Sequence, residues 1–330
     1  MLLDIVLLIV GLAVLYFGAE AMVKGASQLA LNLGIAPMIV GLTVVAFGTS
    51  APEFVISLIA AFEDSAGISV GNIIGSNIAN IALILGIAAV ISPMPVDARA
   101  LRRDYPVMLG AGALFYLVSL DGHIERWEGG ILFAGIVAYV LWSMLHAQKL
   151  RRAASAGEAV EELDSELSEE DVAAAARSSR LKNVGYLLGG LVGLTIGAKL
   201  MVDGAVSIAQ SMGISDFVIG VTIVAFGTSL PELATSVVAA VRKESDISIG
   251  NVIGSNIFNV LFIMGVVPML FGMDVGERAL TVDFPIMLGV TVIAFPLMRV
   301  GYRLTRLKGA FFLLIYASYI ISLILNPQAG

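Results

Sequence analysis

The chain has no cysteine among its 330 residues, only two histidines, and a charged fraction of 14%. Without cysteine there is no disulfide framework and no thiolate metal site. With so little charge it cannot cover an ordinary soluble domain, where about a quarter of residues are charged. What fills the gap is apolar: 58% of residues are hydrophobic and the mean hydropathy is +0.95. The composition is that of a polytopic membrane protein. The net charge of −7 says little about partners, because the acidic excess sits in one segment, and no nucleic-acid partner is expected. The opening MLLDIVLLIV lacks the basic region of a cleaved signal peptide and reads as a first transmembrane helix.

A length prior of roughly 150 residues per domain would suggest two domains. An internal repeat suggests instead two halves of one membrane body. GLTVVAFGTSAPE (Gly41 to Glu53) returns as GVTIVAFGTSLPE (Gly220 to Glu232). SVGNIIGSNIAN (Ser69 to Asn80) returns as SIGNVIGSNIFN (Ser248 to Asn259), at the same offset of 179 residues. GAEAMVKG (Gly18 to Gly25) aligns likewise with GAKLMVDG (Gly197 to Gly204). Within it, Glu20 and Lys24 are expected to form a local pair one turn apart, as are Lys199 and Asp203 with the signs exchanged.

A spanning helix needs about 20 apolar residues. Such runs fall near 2–22, 36–61, 69–91, 106–120, 128–147, 184–203, 215–241, 248–271, 281–298 and 309–325. The expected fold is all-α: ten transmembrane helices as two five-helix repeats, 1–147 and 183–330, joined by a linker loop, 148–182. Of the 19 Lys and Arg residues, only Arg126 and Arg278 fall on the second side of this arrangement, and Lys199 lies within a helix. The positive-inside rule then puts both termini outside and the 148–182 loop in the cytoplasm of a cell (inner or plasma) membrane. Five helices is an odd number, so the second repeat runs opposite to the first. The loop reads as a solvated linker with a short helix opening at Ser168-Glu169-Glu170-Asp171, without the spacing of an EF-hand.

Glu53 and Glu232 lie in the middle of apolar stretches. A charge at the bilayer centre costs roughly 2.5–3.5 kcal/mol on insertion scales, which makes it a functional candidate. Pro52 removes a backbone donor and clashes with the carbonyl of Gly48, so the helix is expected to kink there and free carbonyls from Ala46 to Gly48. Thr49 and Ser50 lie four and three residues before Glu53, so hydroxyls and carboxylate converge on one face. Ala225, Gly227, Thr228, Ser229, Pro231 and Glu232 repeat the arrangement. Asn72, Ser76 and Asn80 form a polar stripe on the next helix, and Asn251, Ser255 and Asn259 its copy. Gly71 and Gly75, with Gly250 and Gly254, are expected to be close-packing faces. Asn77 and Asn256 lie off the stripe and are expected to bond to backbone or neighbouring helices. Hydroxyls, amide oxygens, loosened carbonyls and two carboxylates are hard ligands, suited to Ca²⁺ or Na⁺ and less well to Mg²⁺, with its tight octahedron.

These doubled GTSxPE and GNxxGSNxxN motifs resemble the α-repeats of the sodium/calcium exchanger family, over essentially the whole membrane body. The resemblance implies ten helices, central ion sites and alternating access by movement of the first and sixth helices. It implies ion ligands at Ala46, Thr49, Ser50, Glu53, Ser76 and Asn80, and at Ala225, Thr228, Ser229, Glu232, Ser255 and Asn259. The glutamates would hold Ca²⁺, and flanking carbonyls and hydroxyls Na⁺. Some microbial members and the potassium-dependent branch resemble this chain except for Asp at the place of Asn259; asparagine there argues against potassium co-transport. The implied function is a secondary antiporter that expels Ca²⁺ with the Na⁺ gradient. An exchanger of the same fold for H⁺ and Ca²⁺, or for another divalent cation, is the alternative. No cofactor is expected beyond the transported ions, nor any partner beyond the bilayer, with a monomeric transport unit. A channel would need no matched sites in two oppositely oriented halves. A hydrolase using Ser50 or Ser229 would need a general base, and His123 and His146 sit far along the chain.

Overall fold

A computed structural model describes residues 2–63, 65–155, 179–212 and 225–325. The protein is an all-α polytopic membrane protein. Its helices in chain order are α1 (Leu2–Leu33), α2 (Pro37–Thr49), α3 (Ala51–Phe62), α4 (Ala66–Ile91), α5 (Ala98–Val118) and α6 (Arg126–Ser155). There follow α7 (Arg180–Ser211), α8 (Ala225–Thr228), α9 (Leu230–Val241), α10 (Ser245–Phe271), α11 (Phe284–Arg299) and α12 (Arg306–Leu325). Among the described residues seven helices are long and apolar enough to cross a membrane, or eight if the bent pair α2–α3 is one span. The rest of the expected seventh span, 215–224, and the helix start at Ser168 lie outside the described residues.

Several boundaries differ from the apolar runs. The fourth expected span, 106–120, falls on helix α5, which begins at Ala98 and is not one of those seven. Its first turns carry Arg99, Arg102, Arg103 and Asp104, which hid them from a hydropathy reading. The start is fixed by Asp97, whose carboxylate accepts the Arg99 backbone N–H at 2.7 Å. α6 continues past 147 to Ser155 and shortens the linker. α1 and α7 are each 32 residues long. At 1.5 Å per residue that is about 48 Å, more than the ~30 Å hydrocarbon core, so a spanning α1 or α7 must tilt or project.

Packing divides the chain into two compact units: one from residues 1–49 and 138–251, the other from 50–137 and 252–330. Each unit takes segments from both copies of the sequence repeat. In the first, α1 and α7 run against each other backbone to backbone. A methyl built on Gly18 would lie 2.7 Å from the Leu194 nitrogen, and one on Gly25 2.6 Å from that of Leu187. Small residues let helices approach this closely where dispersion, not hydrophobicity, drives association. Leu15, Met22, Val45, Leu194 and Ile247 form the adjoining core.

In the second unit two short antiparallel bridges join loops of the two repeats. β1 (Met94–Pro95) pairs with β4 (Arg303–Leu304), and β2 (His123–Ile124) pairs with β3 (Met273–Asp274). Tyr105, Phe115 and Phe284 are among the large side chains buried there. Phe115 and Phe284 meet edge to face at 4.7 Å.

Candidate functional site

Pro52 does break its helix, but two residues later than the clash with Gly48 suggests. The chain leaves α2 at Ser50 (φ −80°, ψ 5°) and restarts as α3, bent by 42°. The displacement follows from the ring: with the break at Ser50, Pro52 sits in the first turn of α3, where a missing N–H costs no helical hydrogen bond. The second copy does the same at Ser229 (φ −88°, ψ 5°), with Pro231 in the first turn of α9. The Thr49 hydroxyl reaches back to the Ala46 carbonyl at 3.3 Å. Ala225 opens α8, as Ala46 stands three residues before Thr49 in α2.

In the first unit, Glu232 on α9 is 1% exposed, and Thr49, Thr228 and Ser229 are buried with it. Asn251 of α10 braces this region. Its amide donates to the Ser236 hydroxyl at 3.0 Å and to the Glu232 backbone carbonyl at 3.4 Å. Its Oδ1 accepts the Thr49 hydroxyl at 3.0 Å. Ser236 was not singled out by the motifs; it lies one turn beyond Glu232 on the same helix, a spacing that could have pointed to it.

In the second unit, Glu53 is likewise 1% exposed, and Ser50, Ser76, Asn80, Ser255 and Asn259 are buried. Asn72 repeats the brace, donating to Ser57 at 3.1 Å and to the Glu53 carbonyl at 3.3 Å. The Ser76 hydroxyl points to Glu53 Oε1 at 3.5 Å, the outer limit of a hydrogen bond. Asn72 and Asn251 therefore spend their amide protons holding the broken helices in place.

Asn80 is the second residue of one π-helical turn, Ala79–Ile84, and Asn259 the first of its counterpart, Asn259–Ile263. Such turns are rare and concentrate at functional sites. Asn80 donates to Asn256 Oδ1 at 2.9 Å, and Asn259 donates to Asn77 Oδ1 at 3.2 Å. The second bond is the first one carried through the repeat. The bonding expected of Asn77 and Asn256 to neighbouring helices is present, and its partners are the stripe residues of the opposite copy. Asn80 Oδ1 and Asn259 Oδ1 are buried and accept no hydrogen bond among the described residues.

Close packing holds for Gly250, where an added methyl would lie 2.9 Å from the Met38 carbonyl oxygen. It does not hold for Gly71 and Gly75, where a methyl would meet nothing within 4 Å. Nor is Glu20 paired with Lys24: it binds Arg242 just beyond α9, while Lys24 lies over the Tyr186 ring at 5.2 Å. Lys199 and Asp203 do form the local pair, at 2.9 Å. Among the described residues no group of three His, Cys, Asp or Glu side chains gathers as for a conventional metal centre.

Each repeat thus carries a buried carboxylate beside a broken, proline-started helix and a buried amide oxygen without a hydrogen bond among the described residues. The chain belongs to the sodium/calcium exchanger protein family, whose profile matches residues 3–145 and 182–325. It is 33% identical to the sodium/calcium exchanger MaX1 of Methanosarcina acetivorans, over 97% of this chain and 98% of that protein. It is 37% identical to the inner membrane protein YrbG of Escherichia coli, over 89% and 88% respectively. Its fold superposes on the sodium-calcium exchanger NCX_Mj, soaked with 10 mM Na⁺ and no Ca²⁺, with a TM-score of 0.82 at 33% identity, covering 98% of this chain and 99% of that one. The family consists of exchangers, not enzymes, and this chain is one of them.

Proposed function

We propose that the protein exchanges Na⁺ for Ca²⁺ by alternating access, expelling Ca²⁺ from the cell as Na⁺ enters. The observation that carries this is the duplicated set of hard oxygen groups: each copy has one buried carboxylate, and one buried asparagine oxygen, Asn80 Oδ1 or Asn259 Oδ1, that accepts no hydrogen bond among the described residues. Two carboxylates match the charge of one Ca²⁺, and can instead be neutralised by Na⁺. Glu53, Thr49, Ser50, Ala46, Ser76 and Asn80, with Glu232, Thr228, Ser229, Ala225, Ser255 and Asn259, are the proposed ligands. The ten-helix inverted-repeat topology, both termini outside, a cytoplasmic linker between α6 and α7 and a monomeric transport unit complete the proposal. The relatives named as sodium/calcium exchangers support the pair of ions; asparagine at 259 keeps that position neutral at every pH.

The test is radioactive Ca²⁺ uptake into proteoliposomes loaded with Na⁺ and diluted into Na⁺-free buffer, with a pH gradient lacking Na⁺ as control. Uptake that requires the Na⁺ gradient supports the assignment. Uptake driven by the pH gradient alone moves the protein to proton coupling, and no uptake under either removes Ca²⁺ as the substrate.

A further inference from the structure

An asparagine can offer a cation its oxygen or, turned by 180°, its nitrogen protons. Which one it offers depends on what holds the other end of the amide. The second unit contains two three-residue chains that settle this for Asn80 and Asn259. In one, Asn80 Nδ2 donates to Asn256 Oδ1 at 2.9 Å, and Asn256 Nδ2 in turn donates to the Met108 sulfur at 3.6 Å and to the Asn77 backbone carbonyl at 3.4 Å. In the other, Asn259 Nδ2 donates to Asn77 Oδ1 at 3.2 Å, and Asn77 Nδ2 donates to the Met287 sulfur at 3.7 Å. Met108 and Met287 are related by the same 179-residue offset as the asparagines.

A thioether has no proton to give and can only accept. The amide beside it must therefore turn its nitrogen toward sulfur, and for Asn256 a backbone carbonyl imposes the same direction. The Oδ1 of Asn77 or Asn256 then faces the stripe asparagine, which must answer with its own nitrogen. Its Oδ1 is left pointing away, buried and without a hydrogen bond among the described residues. Acceptor-only sulfur at one end is thus transmitted through two amides into a buried oxygen that accepts no hydrogen bond among the described residues at the other.

We propose that Asn77 and Asn256 are positioning residues, held by Met287 and Met108 so that Asn259 and Asn80 present oxygen and not nitrogen to the transported cation. The proposal rests on reading Asn80 and Asn259 as ion ligands. Groups of this kind behind a metal ligand are worth about 10- to 100-fold in affinity.

The test measures Na⁺-driven Ca²⁺ uptake in proteoliposomes for wild type, Asn77→Leu and Asn256→Leu. Each leucine is close to isosteric and removes the acceptor that orients the ligand amide. The expected result is a KM for Ca²⁺ raised about tenfold or more with the maximal rate near wild type. Asn256→Asp supplies the rescue. A carboxyl oxygen at 256 can accept from Asn80 as the amide oxygen does, so its KM should lie nearer wild type than that of Asn256→Leu. Met108→Leu and Met287→Leu keep volume and lose only the sulfur. They should raise KM by a smaller factor, and they decide the matter if the asparagine variants do not fold. Unchanged KM in folded variants, or equal damage from Asp and Leu at 256, overturns the relay alone. Wild-type protein that takes up no Ca²⁺ overturns the transport reading, and the relay with it.

Discussion

Glu20, midway along α1, is ion-paired with Arg242 just beyond the end of α9, although Lys24 lies one turn away on its own helix. The pair ties α1 to the turn that follows the Glu232-bearing helix. Ser27 adds a second tie, donating to Glu244 at 2.9 Å. Both charged partners are partly exposed, so the pair is worth about 0.2–1 kcal/mol. A double-mutant cycle of Glu20→Gln and Arg242→Gln on thermal stability should give a coupling energy in that range. The same cycle on Glu20→Gln and Lys24→Gln should give none.

Replacing Glu53 or Glu232 by glutamine should abolish Ca²⁺ uptake while the detergent-purified protein still elutes as a folded species. Each keeps its shape and loses only the charge the ion requires. Substantial Ca²⁺ transport by either variant would remove the carboxylates from the mechanism.

Asn251→Leu should destabilise the protein by about 1–3 kcal/mol, because the Thr49 hydroxyl, the Ser236 hydroxyl and the Glu232 carbonyl each lose a buried partner. Asn72→Leu should act in the same direction with fewer broken bonds. Thermal unfolding of both variants in one detergent makes the comparison.

The glycines separate by environment. Gly18→Ala forces a methyl to 2.7 Å from the Leu194 nitrogen and should cost about 1–3 kcal/mol by overpacking. Gly71→Ala meets open space and should be neutral or stabilising by about 0.5–1 kcal/mol, since alanine loses less entropy in a helix.

His123 Nδ1 lies 2.7 Å from Asp274 Oδ1 across the β2–β3 bridge, and when protonated donates to that carboxylate. The Asp274 hydrogen bond is the main cause that raises its pKa above 6.5, with Asp121 and Glu125 adding charge. A raised folded-state pKa means the pair stabilises the bridge fully below pH 6.5 and stops doing so as pH rises through the raised value. Asp274→Asn should bring the His123 titration, followed by NMR, back toward 6.5.

Much of this was legible in the sequence because the chain states it twice. The doubled glutamates, the helix-breaking prolines and the polar stripes follow from periodicity and proline geometry, both local properties. Which neighbour covers a given face is not local. Helical spacing put Lys24 within reach of Glu20, but could not reveal that Arg242 was nearer. The glycine spacing at Gly71 and Gly75 matched a packing motif, but among the described residues nothing comes within 4 Å of a methyl added there. Asn77 and Asn256 looked peripheral because the stripe was drawn on one helix at a time, whereas their role depends on the opposite copy.

The crossed bonding of Asn80 with Asn256 and of Asn259 with Asn77 has the form of an isologous contact, the kind two identical subunits make about a twofold axis. One copy of the repeat carries both halves of that handshake, the asparagine that gives and the asparagine that receives. Such a surface is self-complementary before any linker joins it. A single repeat therefore carries both sides of the contact, as two copies meeting about a twofold axis would require.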